Sequence, residues 1–298
     1  MGDNLKFDWL LIDGDVFAFI AAAAVQKNMQ DALGNWRSFA DPNEGELEVE
    51  RLIARHREKL KKPGSRAADT IVLSDPDANW RWDVVRSYKD NRVTAYGELS
   101  HRPMLLGHLK DYLRQRYGAF HHSRLEADDT ISIIATSENA LGAKDGGFCI
   151  VGRDKDFKSI PGWLYTYKTD APIHITLADA DRWHYAQSLA GDVTDGFHGC
   201  PGIGIKRAQQ ILDEGCKFVP QEGILTKGPN KGQKTIKWFK EPCDDPWQII
   251  VSCYERAGLS EDDALTNARL AHLLRHGEYN FTNHEVTLWL PPSFKEAN

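Results

Sequence analysis

Apolar and polar positions follow a repeating rhythm in the first half of the chain. Trp9-Leu10-Leu11-Ile12 is a short apolar run that ends at Asp13-Gly14-Asp15, and the alanine-rich stretch from Val16 to Gln30 follows. An apolar run, a polar turn and a good helix former predict strand, turn and helix. The rhythm returns at Thr70-Ile71-Val72-Leu73 before Ser74-Asp75, and at Gly147-Phe148-Cys149-Ile150-Val151-Gly152 before Asp154. Helical patterns lie between, over 46–61, 104–117 and 127–139. Strands that alternate with helices predict an α/β fold with a mainly parallel sheet. All three predicted strands end in aspartate, and in such sheets the ligand crevice lies outside the carboxyl ends of the strands. After about residue 185 the strand signals fade, so a second, helical subdomain is expected, with Gly199 to Gly204 as a turn between two of its helices.

Composition narrows the class. The chain has 298 residues, 41% hydrophobic and 27% charged, which allows a real core and excludes wholesale disorder. Its longest apolar run, Val16 to Val25, is about half of what a bilayer-spanning helix needs. No membrane partner is expected. The opening residues lack a secretory pattern and Lys6 breaks a myristoylation signal, so the expected compartment is the cytoplasm. Five cysteines are scattered without any C-x-x-C pair, which disfavours a disulfide framework or a cysteine zinc site. The net charge of −6 argues at first sight against a nucleic-acid partner.

The distribution of acidic residues changes that picture. Beyond Asp13 and Asp75 they fall into groups: Glu126-Ala127-Asp128-Asp129, Asp154-Lys155-Asp156 and Asp192-Val193-Thr194-Asp195. Glu126 and Asp129 share a helix face at i, i+3, as do Asp192 and Asp195, while Asp154 and Asp156 point the same way from an extended strand end. Each pair can hold one hard cation between two oxygens, and two such ions can clamp the oxygens of a phosphoryl transfer. A single acidic pair is more often a helix cap or surface charge, and Asp192 could simply cap a helix. Coincidence of several groups is what favours metal, because clustered carboxylates repel one another without cations.

Basic residues are also concentrated. Arg86-Ser87-Tyr88-Lys89-Asp90-Asn91-Arg92, together with Arg102, Lys110, Arg114 and Arg116, could embrace a phosphate chain, or form an ordinary solvated helix. Tyr88 beside Lys89 favours the first, since aromatics among cations stack and grip nucleic-acid strands. Gly199-Cys200-Pro201-Gly202-Ile203-Gly204-Ile205-Lys206-Arg207-Ala208 is the most specific local signal. It lacks the Gly-Lys-Ser/Thr ending of a phosphate-binding P-loop and matches a helix-hairpin-helix. Gly202 and Gly204 would let the backbone approach a phosphate, with Lys206 adding a charge.

In chain order, Leu-Ile-Asp13-Gly-Asp15, Asp75, Tyr88-Lys89-x-Asn91-Arg92, Glu126-x-Asp128-Asp129, Asp154-x-Asp156, Asp192-x-x-Asp195 and the glycine hairpin resemble the flap endonuclease and 5′→3′ exonuclease family. Within it the chain is most similar to the stand-alone phage exonucleases that degrade duplex DNA from 5′ ends, since the stretch from Lys227 to Trp238 and the ending from Glu278 to Leu290 are also alike. The resemblance implies a PIN-like nuclease domain over 1–185 with a helical arch around 86–116. It implies a helical subdomain over 186–298 that contains a helix-three-turn-helix and carries Asp192 and Asp195 into the active site. The implied activity is two-metal phosphodiester hydrolysis with Mg²⁺, for which Mn²⁺ substitutes, and the implied hairpin ligand is K⁺. The implied substrates are duplex DNA with 5′ ends or flaps, extending to RNA–DNA hybrids, in phage DNA replication or genome degradation beside replication proteins. Asp13, Asp75, Glu126, Asp128, Asp129, Asp154, Asp156, Asp192 and Asp195 match the family's acidic positions. Asp13, Asp128 and Asp154 count with Lys89 and Arg92 among the groups that carry the reaction. Lys89 and Arg92 match cations that address the scissile phosphate, and Tyr88, Gly202, Gly204 and Lys206 complete the expected DNA contacts. Asp15 is an extra carboxylate of open role, and Asp77 lies close enough to Asp75 to compete for its assignment. Nine metal-compensated carboxylates would turn the net charge from −6 to +3, leaving a surface able to attract DNA. A PIN-type ribonuclease and a non-catalytic DNA-binding protein are the rival readings; the hairpin argues against the first and the unbroken acidic groups against the second.

Overall fold

The computed structural model describes residues 5–91, 102–137, 147–166 and 171–295. They fall into two compact units, one drawn from Met1–Trp80, Tyr96–Ala180 and Leu273–Thr287, the other from Arg81–Ala95, Asp181–His272 and Leu288–Asn298. The units are therefore interleaved in sequence, where the motifs suggested a single break near residue 185. The reasons are specific bonds. Arg81 is buried and donates to the carbonyls of Leu270 (3.0 Å) and His272 (2.7 Å), which ties its segment to the second unit. Leu274 N–H donates to Asp129 (3.2 Å) and Tyr279 Oη donates to the Ser123 carbonyl (2.8 Å), which ties the segment after residue 272 to the first.

The first unit is built on a five-stranded sheet of order β4-β1-β5-β6-β7. Its strands are β1 (Trp9–Asp13), β4 (Thr70–Val72), β5 (Phe148–Val151), β6 (Gly162–Tyr165) and β7 (Ile173–Ile175), and only the last pairing is antiparallel. Leu10 and Ile12 face a cluster with Phe17, Ile53, Leu109 and Leu113, while Trp9 and Leu11 face one with Ile131, Phe157 and Leu273. Burial on both faces explains why these strands are continuous apolar runs rather than alternating ones. Helix α1 (Gly14–Val25) is shorter than its alanines suggest, because Lys27–Gln30 (β2) pairs antiparallel with Trp36–Phe39 (β3). Helices α2 (Pro42–Leu60) and Leu106–Tyr117 pack beside α1, the second through Leu109 and Leu113. The last third of the expected arch, from Leu106, is thus a core helix, and residues 92–101 lie outside the described set. Among the described residues no helix is long and apolar enough to cross a membrane.

The second unit has a core of helices Ile205–Glu214, Pro246–Arg256 and Glu261–Ala271, packed through Ala208, Ile211, Ile250, Tyr254 and Ala268. It also holds a long antiparallel ribbon, β8 (Cys216–Ile224) with β9 (Lys234–Pro242). This corrects the expectation of a purely helical subdomain. Outside its base the ribbon exposes both faces, so its residues carry no period-two alternation, and lysine and glycine lower its apparent strand propensity.

Candidate active site

The carboxyl ends of β4, β1 and β5 lie side by side in the sheet, and they bring their aspartates to one edge. Asp13 closes β1 and caps α1, its Oδ1 accepting from the N–H groups of Asp15 (3.1 Å) and Val16 (3.2 Å). Gly14 is required next to it, since a Cβ there would sit 2.8 Å from Ile71 and 2.9 Å from the Val72 carbonyl. Burial pushes the Asp13 carboxyl up to about 7, and the charges of Asp15 and Asp154 add to that rise against the bonds from Val16 and Asp15. Asp15 itself accepts from Ser74 N–H (3.1 Å) and pairs with Lys110 Nζ (2.8 Å), so the extra carboxylate anchors a lysine of helix Leu106–Tyr117.

Asp75 lies three residues past β4 and accepts from Arg124 N–H (2.6 Å) and Asp77 N–H (2.9 Å). Asp77 is the exposed member of the pair and feeds Asp75. After β5, Asp154 accepts from Asp156 N–H (3.0 Å), and Asp156 begins a 3₁₀ turn that runs to Ser159. The two do not share an extended strand end as the spacing suggested; the short side-chain bond closes a turn between them.

Helix Ala127–Ala135 begins at Glu126, yet Glu126 does not cap it. Ser74 does, its Oγ accepting from Ala127 N–H (3.0 Å). Carboxylate oxygens of Glu126, Asp128 and Asp129 lie within 4.8 Å of one another. Asp129 is fully buried and accepts from Trp80 Nε1 (2.9 Å) and Leu274 N–H (3.2 Å). These bonds orient the acidic end of the helix through partners 49 and 145 residues away.

In the second unit Asp192 caps a three-residue 3₁₀ turn, Val193–Asp195, by accepting from Thr194 N–H (2.8 Å). The pair is therefore a cap and the end of its turn, rather than one face of a longer helix. Asp195 accepts from Tyr88 Oη (3.2 Å), and Lys89 Nζ lies 3.6 Å from the same oxygen. Lys89 has φ 64°, a left-handed backbone that its N–H bond to the Asp195 carbonyl (3.0 Å) helps hold. Its ammonium also sits 4.9 Å from the Tyr88 ring. Tyr88 is buried with Phe197, Leu270 and Ala271. This corrects its reading as a stacking platform, because the ring fills a core and the hydroxyl orients Asp195. Arg92 lies outside the described residues.

The glycine turn joins helix Leu177–Ala190, by way of that 3₁₀ turn, to helix Ile205–Glu214. Gly202 has φ 76° and Gly204 caps the following helix; a Cβ on either would meet nothing within 4 Å. Open backbone and an exposed Lys206 thus share one surface. The basic segment, by contrast, is dispersed: Lys110 pairs with Asp15, Arg114 with Asp111 and Arg116 with Glu50. Ser74 and Trp80 escaped sequence reasoning, and Lys110 entered it only as one of a basic group and not as the partner of Asp15, because these partners are distant in the chain and no local spacing announces them.

No family model matches the chain. It is 32% identical over 288 residues to the exonuclease of Escherichia phage T7, covering 95% of this chain and 93% of that one. It is likewise 32% identical over 289 residues to the exodeoxyribonuclease of Enterobacteria phage T3, with the same coverage. The flap endonuclease Xni of Shewanella piezotolerans is 28% identical over 181 residues, covering 58% of this chain and 69% of that one. Among solved structures, the T5 5′-exonuclease with bound zinc ions superimposes with a TM-score of 0.58 over 89% of both chains at 15% identity, a likeness of fold.

Proposed function

The chain belongs to the family of the phage T7 and T3 exonucleases, and on that premise we propose how its residues divide the work of a metal-dependent 5′→3′ nuclease. The protein is an enzyme that hydrolyses phosphodiester bonds of DNA. The observation that carries the reading of the site is Asp13, a buried carboxylate whose proton affinity is raised by burial and by anionic neighbours at the carboxyl edge of the sheet. Such a group fits a hard divalent cation, and the oxygens of Glu126, Asp128 and Asp129, within 4.8 Å of one another, offer the same all-oxygen donor chemistry. Asp13, Asp75, Glu126, Asp128, Asp129, Asp154 and Asp156 in the first unit, and Asp192 and Asp195 in the second, are the residues we assign to metal. Mg²⁺ is the proposed ion, with Mn²⁺ as substitute. When bound, it supplies a water that is nucleophilic at neutral pH and offsets charge on the attacking and leaving oxygens.

The chain's own groups then do the positioning. Asp195 and Tyr88 hold the Lys89 ammonium in a defined place, from which it offsets negative charge on the reacting phosphate, together with Arg92. Asp129 fixes the helix that presents Glu126 and Asp128. The open backbone at Gly202 and Gly204, with Lys206, grips duplex phosphates without reading sequence, and K⁺ is the proposed ligand of that hairpin. RNA–DNA hybrids are a second proposed substrate, and the host cytoplasm the proposed compartment, beside other replication proteins. The test is product sizing on 5′-end-labelled duplex, flap and hybrid, with and without Mg²⁺. Short labelled products that require the metal are expected; metal-independent cleavage, or loss of nucleotides from the 3′ end alone, would overturn the reading.

A further inference from the structure

The ribbon β8–β9 is the largest feature that this division of work leaves unused. Each strand has nine residues, paired in register from Cys216 with Pro242 to Ile224 with Lys234, and the pairing continues into the turn through Leu225 and Gln233. At about 3.4 Å per residue the ribbon is roughly 30 Å long, close to one turn of B-form DNA. Its base is fixed: Phe218 is buried in the unit's core and donates its N–H to Ser252 Oγ (2.9 Å), and Trp238 packs on the same core. Toward the tip both faces are exposed.

That outer part is predominantly basic. From Gln221 to Lys240 there are five lysines, at 227, 231, 234, 237 and 240, against one acid, Glu222, which lies opposite Ile236 on the face of Lys234. Lys240, nearest the base, pairs with Glu214. Lys227, Lys231, Lys234 and Lys237 have no ion pair among the described residues, in a chain whose net charge is −6. Register distributes them: Lys234 lies on the face of Ile224 and Ile236, Lys237 on the opposite face with Gln221, and Lys227 and Lys231 in the turn. Cations on both faces and at the tip suit a site walled by phosphates on two sides. A ribbon lying flat on one backbone would need only one basic face.

We propose that this ribbon is a DNA-holding arm that enters a groove of the duplex on which the nuclease works. The inference rests on the nuclease reading and extends it. A major groove about 12 Å wide admits a two-stranded ribbon. Its walls are the two phosphate backbones, which the lysines of the two faces meet, while Ile224 and Ile236, 67% and 58% exposed, add apolar contact on the face of Lys234. Duplex is favoured over single strand by side-chain chemistry: single-strand grooves depend on rows of aromatic platforms, and Phe239 is the one aromatic at the outer part that is largely exposed. The arm contributes affinity and hold on the substrate between successive cuts, with no part in the bond-breaking step.

The test compares the parent with a variant carrying Lys227→Gln, Lys231→Gln, Lys234→Gln and Lys237→Gln, and with a second in which the same four are Arg. Binding to a duplex is measured across a salt series with Ca²⁺ replacing Mg²⁺, followed by run length per encounter and single-turnover rate with Mg²⁺. Four phosphate contacts predict that the Gln variant's log–log salt slope is shallower by up to about 3.6, since each contributes about 0.9. Its runs shorten and its single-turnover rate at saturating enzyme stays at the parent's value, while the Arg variant keeps slope and run length. An unchanged slope and run length in a parent that cuts duplex would remove the arm from the interface and leave the nuclease reading standing. A slope change confined to single-stranded DNA would also overturn the groove assignment. A parent that neither binds nor cuts duplex would overturn the nuclease reading and this inference with it.

Discussion

The acidic groups of the two units solve opposite electrostatic problems. At the carboxyl edge of the sheet, Asp13 is buried among anions, and its carboxyl is pushed up to about 7. In the second unit, Asp195 is equally buried but accepts a hydroxyl from Tyr88 and has Lys89 Nζ at 3.6 Å. The first carboxylate has only anions beside it; the second, although a carboxylate oxygen of Asp192 lies within 4.8 Å, also has a cation of the chain beside it. The two therefore enter the proposed metal site from different electrostatic starting points.

The largest way to break this contrast is Asp154→Ala. It removes a charge that raises Asp13. Cleavage should fall by at least about a thousandfold, with the thermal midpoint of the metal-free protein unchanged or higher. Steady activity, measured by product release from labelled duplex, would place the metal elsewhere. Lys89→Ala comes next. An interaction made chiefly in the transition state should lower single-turnover cleavage about a hundredfold and leave duplex affinity within a few-fold. If affinity falls instead, Lys89 is an ordinary backbone contact.

Stability should separate the two regions by sign. Asp13 has a folded-state pKa above its unfolded value of 3.8, so the metal-free fold is most favoured below that value and loses stability as pH rises through about 7. Asp13→Asn should consequently stabilise the metal-free protein at pH 8, by an amount on the order of a few kcal/mol. Asp195→Asn should destabilise it by about 1–2 kcal/mol, because the Lys89 ammonium loses its counter-charge. Denaturant titration of both variants in EDTA checks the pair of signs. The same shift predicts that divalent-ion binding displaces a proton below pH 7, with affinity falling up to about tenfold per pH unit, readable by calorimetry in buffers of different ionisation enthalpy. The smallest expected effect is at the hairpin: Lys206→Ala should flatten the salt slope of duplex binding by about 0.9 and leave the saturated single-turnover rate alone.

Much of the first unit was legible in the chain. Three apolar runs with aspartate at their ends became three adjacent parallel strands, because strands buried on both faces must be apolar throughout. The glycine turn before helix Ile205–Glu214 was legible too, since Gly202 needs a positive φ that glycine alone adopts freely. The ribbon was not, because a strand exposed on both faces has no alternation to find. Tyr88 was misassigned for a related reason. Flanking cations in sequence say nothing of whether the ring is buried; in the fold it is, with Lys89 4.9 Å and the buried Arg81, seven residues earlier, 5.6 Å from its centroid. Asp15 and Asp129 resolve only in space, through Lys110 and through Trp80 and Leu274.

The bond from Leu274 N–H to Asp129 has a temporal side. Protein synthesis delivers residue 129 long before residue 274, and Leu273 is part of the cluster beneath the sheet. A nascent chain that has emerged as far as the ribbon holds all nine acidic positions, yet the helix that presents Glu126 and Asp128 still lacks one of its anchors. That anchor can form only once translation has passed Leu274. An arrested chain ending at residue 272 should be open to proteolysis around 127–135, and one extended through residue 287 should resist it.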